Sequence, residues 1–317
     1  MPLSLEQYAT FLDSRALHWP AAPEPVSARA KPHLIKLHGV KAVLWNIYGT
    51  LVSISGGEVW FNHPQPFAMQ VALDKTVQEF KMWGSMSRRP GQPSEYLRDL
   101  YEQVLLKQRM ASGGGNERLP EVSSDLLWQS LIKMLCQKDY TWDLSFFGSL
   151  NEFTRKVAYF FHRSLQGTAC YPGAADALLT VRSRGFRQGF LADAQPFTTV
   201  QLQRGLAEQV PEIRLDDLID DGLRFLSCEM RGRKPSERIF RKLQAALREQ
   251  GLEPEQVLHV GNSLTRDLAP ARRLGMRTAL YAGDKNSLQA TPEQLKEPGS
   301  RPDVLLSDLN QIAEVIP

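Results

Sequence analysis

The chain has 317 residues, 42% of them apolar and 23% charged, with a net charge of +3. That length accommodates one large domain or two moderate ones with ample core, and the composition excludes a disordered class. No apolar run approaches the ~20 residues that span a bilayer. The small charge excludes nucleic acid as an electrostatic partner; the basic clusters at 87–90, 231–235 and 271–273 read as solvated surface.

The N-terminus carries Glu6 and Asp13 without a continuous apolar segment, so it does not read as a signal peptide, and a soluble cytoplasmic protein is expected. Residues 3–15 predict a short helix, and the Pro/Ala-rich stretch 19–32 an extended linker. The first strand is expected at about 41–46. Four helical segments follow, at 66–84, 93–115, 123–138 and 144–167, with Met and aromatic stripes that pack helix on helix. From about 170 helices alternate with strands at 186–193, 223–229, 257–262 and 277–283, and a last strand and helix end the chain. Strand–helix units of this length predict a parallel sheet covered on both faces. Three cysteines, Cys136, Cys170 and Cys228, are odd in number and widely spaced, which argues against a disulfide framework or a zinc site; they read as small buried apolar residues.

Ligand sites in such sheets lie outside the C-terminal strand ends. Here those ends are Asn46, Asp193, the Cys228–Lys234 loop and Asn262. His259 falls inside an apolar strand and reads as core. His63, and Arg88 with Arg89, are weaker candidates for facing an anion.

These strand ends, in this order, resemble the haloacid dehalogenase-like (HAD) superfamily over about residues 40–310. "NIYGTL" stands where the family has Asp-x-Asp-Gly-Thr or, in its dehalogenase branch, Asp-x-Tyr-Gly-Thr. "GFLADA" stands at the second motif, "RGRKP" at the third with Lys234, and "VLHVGNSLTRD" at the fourth with Asn262 and Asp267. The resemblance implies a Rossmann-like parallel α/β core at 39–54 and 169–317, a helical cap at 55–168 and an N-terminal arm at 1–38, the arm being a candidate for packing on the cap or for homodimerisation.

It also implies covalent catalysis by the first-motif Asp, whose carboxylate attacks phosphorus or carbon. By position the catalytic set is Asn46, Tyr48, Lys234 and Asp267, with Thr50, Ala192 and Asp193 at the substrate. Mg²⁺, where used, would fall to Asn46, Asn262 and Asp267, and weakly, because one formal charge remains where a phosphatase has about three. An amide is a poor nucleophile, a tyrosine with a pKa of about 10 is a poor acid, and Ala192 lacks the expected hydroxyl. The expectation is a HAD-like hydrolase fold, catalytically impaired or inactive, with a small anionic ligand in the cap–core cleft. The alternative is an active phosphatase or dehalogenase for which Asn46 is an engineered or compensated change.

Overall fold

Six short apolar segments pair into one parallel sheet in a computed structural model that describes residues 1–86, 92–112, 119–297, 299 and 301–317. In chain order the strands are β1 (Ala42–Trp45), β2 (Val52–Ile54), β3 (Thr168–Cys170), β4 (Arg187–Ala192), β5 (Arg224–Leu226), β6 (Val257–Gly261), β7 (Arg277–Tyr281) and β8 (Val304–Leu306). The sheet order is β5-β4-β1-β6-β7-β8, with every pairing parallel. β1 and β6 are buried at every residue, the signature of strands covered on both faces. From β1 the chain builds β4 and β5 on one side, then returns to build β6 on the other. The order therefore reverses at β1, where open α/β sheets form their ligand crevice. β2 and β3 make a separate antiparallel pair, with Ile54 opposite Thr168.

The chain divides into two compact units. One holds Met1–Ala21, Val59–Gly167 and Gln195–Val200; the other holds Ala22–Glu58, Thr168–Ala194 and Gln201–Pro317. The first is helical. Its segments Pro66–Glu79, Pro93–Ser112, Ser124–Cys136 and Leu150–Leu165 enclose Leu73, Trp128, Phe153 and Phe161. The second contains the sheet, with Leu44, Leu191, Leu243 and Val257 in its core. The N-terminal segment is shared between them. The helix Leu5–Asp13, closed by a Ser4–Gln7 capping box, buries Tyr8 and Leu12 in the helical unit. From Ala22 onward the chain belongs to the sheet unit, where Val26 N–H donates to Asp284 at 3.0 Å and His33 pairs with Leu305.

Several elements differ from their sequence expectation. The helix expected at 66–84 ends at Glu79, because Lys81 adopts a left-handed φ of 51°, and a short 3₁₀ turn over Met82–Ser85 follows. The helix expected at 144–167 is two, Leu144–Phe147 and Leu150–Leu165. Gly148 (φ 84°) breaks it, and Ser149 with Glu152 starts the second piece as a capping box. The strand expected at 223–229 stops at Leu226, and Ser227–Met230 form one helical turn. The segment after β6 opens with a π-type turn, Leu264–Leu268, before Ala269–Arg273. Cys136 is exposed rather than buried, because it lies at the end of its helix. The pair Arg88 and Arg89 and the glycines at 113–115 lie outside the described residues. Among the described residues no helix is long and apolar enough to cross a membrane.

Candidate functional site at the strand ends

β1 delivers Asn46 to the C-terminal edge of the sheet. Its backbone N–H still donates to Val260 of β6 at 2.8 Å, so the side chain is held at the crossover between the two strands. The chain then turns through Gly49 at φ 78°, a conformation that favours glycine. A Cβ there would also strike the Asn262 side-chain amide. The glycine of "NIYGTL" thus serves two needs at once: the turn and the close approach of the β6 loop.

Lys234 is 3% exposed. Its ammonium donates to Asp267 Oδ1 at 2.6 Å, to Asn46 Oδ1 at 2.9 Å and to the Leu191 carbonyl at 3.0 Å. An ammonium has three hydrogens, and all three are satisfied within the protein. Asp267 is equally buried, and its other oxygen accepts the backbone N–H groups of Asn262 (3.1 Å) and Ser263 (3.0 Å). Burial alone would raise its pKa, but the Lys234 ammonium outweighs that and, with His259 and the donated hydrogen bonds, holds the carboxyl below the usual range. Gly261 permits the arrangement, since a Cβ there would lie 2.5 Å from Asp267 Oδ2.

The two asparagines interlock. Asn46 Nδ2 donates to Asn262 Oδ1 at 2.8 Å and to the Tyr48 carbonyl at 2.9 Å. Asn262 Nδ2 donates to the Ser287 carbonyl at 2.6 Å. Thr50, fully buried, adds its hydroxyl to Asn262 Oδ1 at 3.4 Å. The network runs on through Ser287 to Tyr171, whose hydroxyl lies 2.9 Å from Ser287 Oγ and donates to Asp284 Oδ2 at 2.7 Å. Every side-chain nitrogen of this amide pair faces an acceptor and every side-chain oxygen faces a donor.

The structure therefore brings together Asn46, Thr50, Lys234, Asn262 and Asp267. It gives the remaining candidates other surroundings. The Tyr48 hydroxyl donates to Gln201 Oε1 at 2.5 Å. Ala192 ends β4, buried and without a polar group to offer. Asp193 positions the third-motif loop, its carboxylate accepting the Lys234 backbone N–H at 2.8 Å. His259 is in the core, with Nδ1 2.9 Å from the Leu44 carbonyl. His63 lies in the helical unit, where its Nδ1 accepts from Gln65 N–H. Sequence reasoning missed Ser227, a buried hydroxyl that accepts from Ala194 N–H at 2.8 Å beside the second motif, and Ser287, Tyr171 and Asp284.

Magnesium requires a near-octahedral shell of oxygen donors. The oxygens at hand are committed otherwise: those of Asp267 to an ammonium and two amide N–H groups, that of Asn46 to the same ammonium, that of Asn262 to an amide N–H. A single carboxylate already paired with a lysine does not fit Mg²⁺. Among the described residues no group of three or more His, Cys, Asp or Glu side chains could hold a metal ion.

Residues 232–312, which contain Lys234, Asn262 and Asp267, match a family model described as HAD-hydrolase-like. The chain is 27% identical over 146 residues to a glyceraldehyde 3-phosphate phosphatase of Pyrococcus furiosus, a match covering 46% of this chain and 53% of that protein. The corresponding protein of Pyrococcus abyssi is 27% identical over 111 residues, covering 35% of this chain and 41% of its own. The chain thus spans about half the length of the curated relatives it matches. In fold it is similar to a solved 2-haloacid dehalogenase from Pseudomonas syringae pv. Tomato DC3000, with a TM-score of 0.51 and 17% identity over 87% of this chain and 97% of that one. The third and fourth motifs thus lie within the segment that matches a HAD-hydrolase-like family model, on a parallel sheet similar in fold to that of a haloacid dehalogenase.

Proposed function

We propose that this is a HAD-fold protein in which hydrolysis is lost or severely impaired, and whose sheet edge binds a small anionic ligand without turning it over. The observation that carries the reading is the saturation of Lys234. In covalent phosphoryl or acyl chemistry a lysine so placed offsets the charge of nucleophile and substrate. Here its three hydrogens are spent on Asp267, the Asn46 amide oxygen and a backbone carbonyl. The nucleophile position is an amide, whose oxygen is far less nucleophilic than a carboxylate.

The amide also suits its surroundings better than a carboxylate would. In an Asn46→Asp variant the oxygen replacing Nδ2 would face the Tyr48 carbonyl and Asn262 Oδ1, two acceptors. Asn262 cannot simply rotate, because its own Nδ2 is held by the Ser287 carbonyl. The second reading, an active hydrolase, draws support from the Pyrococcus phosphatases and from the retained Lys234–Asp267 pair.

A side-by-side hydrolysis screen of the parent and Asn46→Asp separates the two, with p-nitrophenyl phosphate plus Mg²⁺ and with 2-chloropropionate without it. The expected result is no turnover by either protein. Were Asn46 the only lesion, the variant would gain on the order of 10⁴-fold or more, the scale of losing one member of a catalytic set. A gain of that size would overturn the reading.

A further inference from the structure

At the opposite edge of the sheet, where the strands begin, a cavity of about 450 Å³ opens within the sheet unit. Small-molecule sites fall in the range of roughly 300–1,000 Å³. Three chain segments line it: Val40 and Lys41 before β1, Arg184–Arg187 leading into β4, and Gln250–Leu252 on the way to β6. Hydrogen bonds tie the three together. Lys41 N–H donates to the Gln256 carbonyl at 2.7 Å, and Arg187 N–H to the Lys41 carbonyl at 3.1 Å. The Arg187 guanidinium joins the second segment to the third, donating to Gln250 Oε1 at 2.6 Å, and also donates to Asp220 Oδ2 at 2.7 Å. The helices Ala174–Ser183 and Glu237–Glu249 end just before two lining glycines in left-handed conformation, Gly185 (φ 79°) and Gly251 (φ 67°). A Cβ at either glycine would meet nothing within 4 Å, so no neighbouring side chain fills the space beside these turns.

The lining divides by character. Val40 and Leu252 are buried and Phe186 is half-buried, and these three make an apolar floor. Lys41, Arg184 and Arg187 are its charged residues, with no carboxylate among the lining. Asp220 balances Arg187, which leaves two cations. Arg184 commits one nitrogen, Nη1, to the carbonyls of Ala313 (2.6 Å) and Ile316 (2.9 Å). Among the described residues no acceptor takes its Nε or Nη2, and none takes the Lys41 ammonium. Basic side chains on a surface are ordinarily solvated and carry no message. These two differ in standing at the rim of a recess with an apolar floor. Arg184 is also held in place by two backbone carbonyls, and its open edge is the planar pair of N–H groups that matches the two oxygens of a carboxylate.

We propose that this cavity binds a small carboxylate with an apolar body, an arylalkanoate being the simplest, at a site separate from the strand-end network. The carboxylate takes the free edge of Arg184 and the Lys41 ammonium, and the body lies against Phe186, Val40 and Leu252. Each half of the ligand answers one half of the lining. An inorganic anion leaves the floor wet, and a neutral apolar body leaves two cations without a counter-charge. The site draws on none of Asn46, Lys234, Asn262 and Asp267, so it holds whether or not the chain hydrolyses anything.

The test is calorimetric titration of the full chain with hydrocinnamate at fixed ionic strength, and one saturable site is expected. Arg184→Gln should weaken binding by about tenfold or more, the scale of a hydrogen bond between charged groups. Lys41→Gln should weaken it about fivefold, the upper end of what an exposed ion pair contributes. Arg184 also holds the C-terminal carbonyls, so thermal melts accompany both variants, and Lys41→Gln decides the matter where Arg184→Gln melts early. Hydrocinnamyl alcohol, the same body without the charge, and inorganic phosphate, charge without the body, should each bind on the order of tenfold more weakly than the carboxylate. Absence of saturable hydrocinnamate binding overturns the proposal. An affinity unchanged in Lys41→Gln does so too, because it would place the carboxylate elsewhere. Binding of the alcohol or of phosphate as tight as that of hydrocinnamate also overturns it, since one half of the lining would then be idle.

Discussion

Lys234→Met is expected to destabilise the sheet unit by roughly 3–5 kcal/mol, the scale of removing one partner from a buried ion pair. The variant leaves Asp267, 2% exposed, without its ammonium. Two backbone N–H groups still donate to the carboxylate, but the Asn46 amide oxygen and the Leu191 carbonyl each lose a donor. The penalty belongs to the uncompensated charge more than to the lost contact, which gives the prediction a second arm. In Lys234→Met/Asp267→Asn the charge is gone, while an amide oxygen still accepts from Asn262 and Ser263. This double variant should recover more than half of the loss in denaturation midpoint. The single variant should also suffer less at pH 5 than at pH 8, because its stranded carboxyl is free to take up a proton as the pH falls. A double variant as unstable as the sum of the two single changes would show that the pair contributes through independent contacts instead.

Acid is expected to weaken the protein well above the pH at which ordinary carboxylates titrate. Burial, reinforced by the Lys234 charge, pushes the His259 imidazole down to about 4. Burial pushes His162 down to about 3. His162 packs among Phe61, Phe161 and Phe197, with neither ring nitrogen in a hydrogen bond. Unfolded histidine titrates near 6.5. Between pH 6.5 and 4 the unfolded chain therefore binds protons at these two positions that the folded chain refuses, and stability falls as the pH falls. The slope approaches about 1.4 kcal/mol per pH unit for each histidine, or a loss on the order of 5 kcal/mol over the window. Asp267 adds to the loss only below about pH 4, because its pKa is depressed and its contribution is present above the unfolded value. Urea midpoints at pH 7, 5.5 and 4.5 measure the slope. His162→Leu should abolish the share belonging to the helical unit and stabilise it at every pH, and a slope unchanged in that variant would refute the assignment.

Asn46 and Asn262 were legible because each ends an apolar run, and Lys234 and Asp267 because of the motifs that resemble the family; the structure brings the four together. The helix break at Gly148 was legible too, in the pattern Ser149-x-x-Glu152, but a continuous apolar stripe overrode it. β2 and β3 were not, since strands of three residues carry too little alternation to register. Nor was the Ser287–Tyr171–Asp284 branch, whose Tyr171 lies more than a hundred positions from the other two and meets them only through the fold. Arg233 read as part of a solvated basic cluster. Its partner Glu58 is 175 positions away and is delivered by two left-handed glycines whose geometry no periodicity encodes.

The β2–β3 pair has a consequence for how such a protein changes over time. The residues from Val59 to Gly167 leave and re-enter the sheet unit beyond two strands paired side by side. The sheet unit therefore meets that whole stretch as one long hairpin loop. Loop closure depends only logarithmically on length, each doubling costing about 0.6 kcal/mol. Lengthening, shortening or exchanging the helical segments thus places little thermodynamic demand on the sheet, provided that the two ends still arrive as neighbours. A doorway of six residues, three on each strand, lets the stretch between them diversify while the sheet keeps its register.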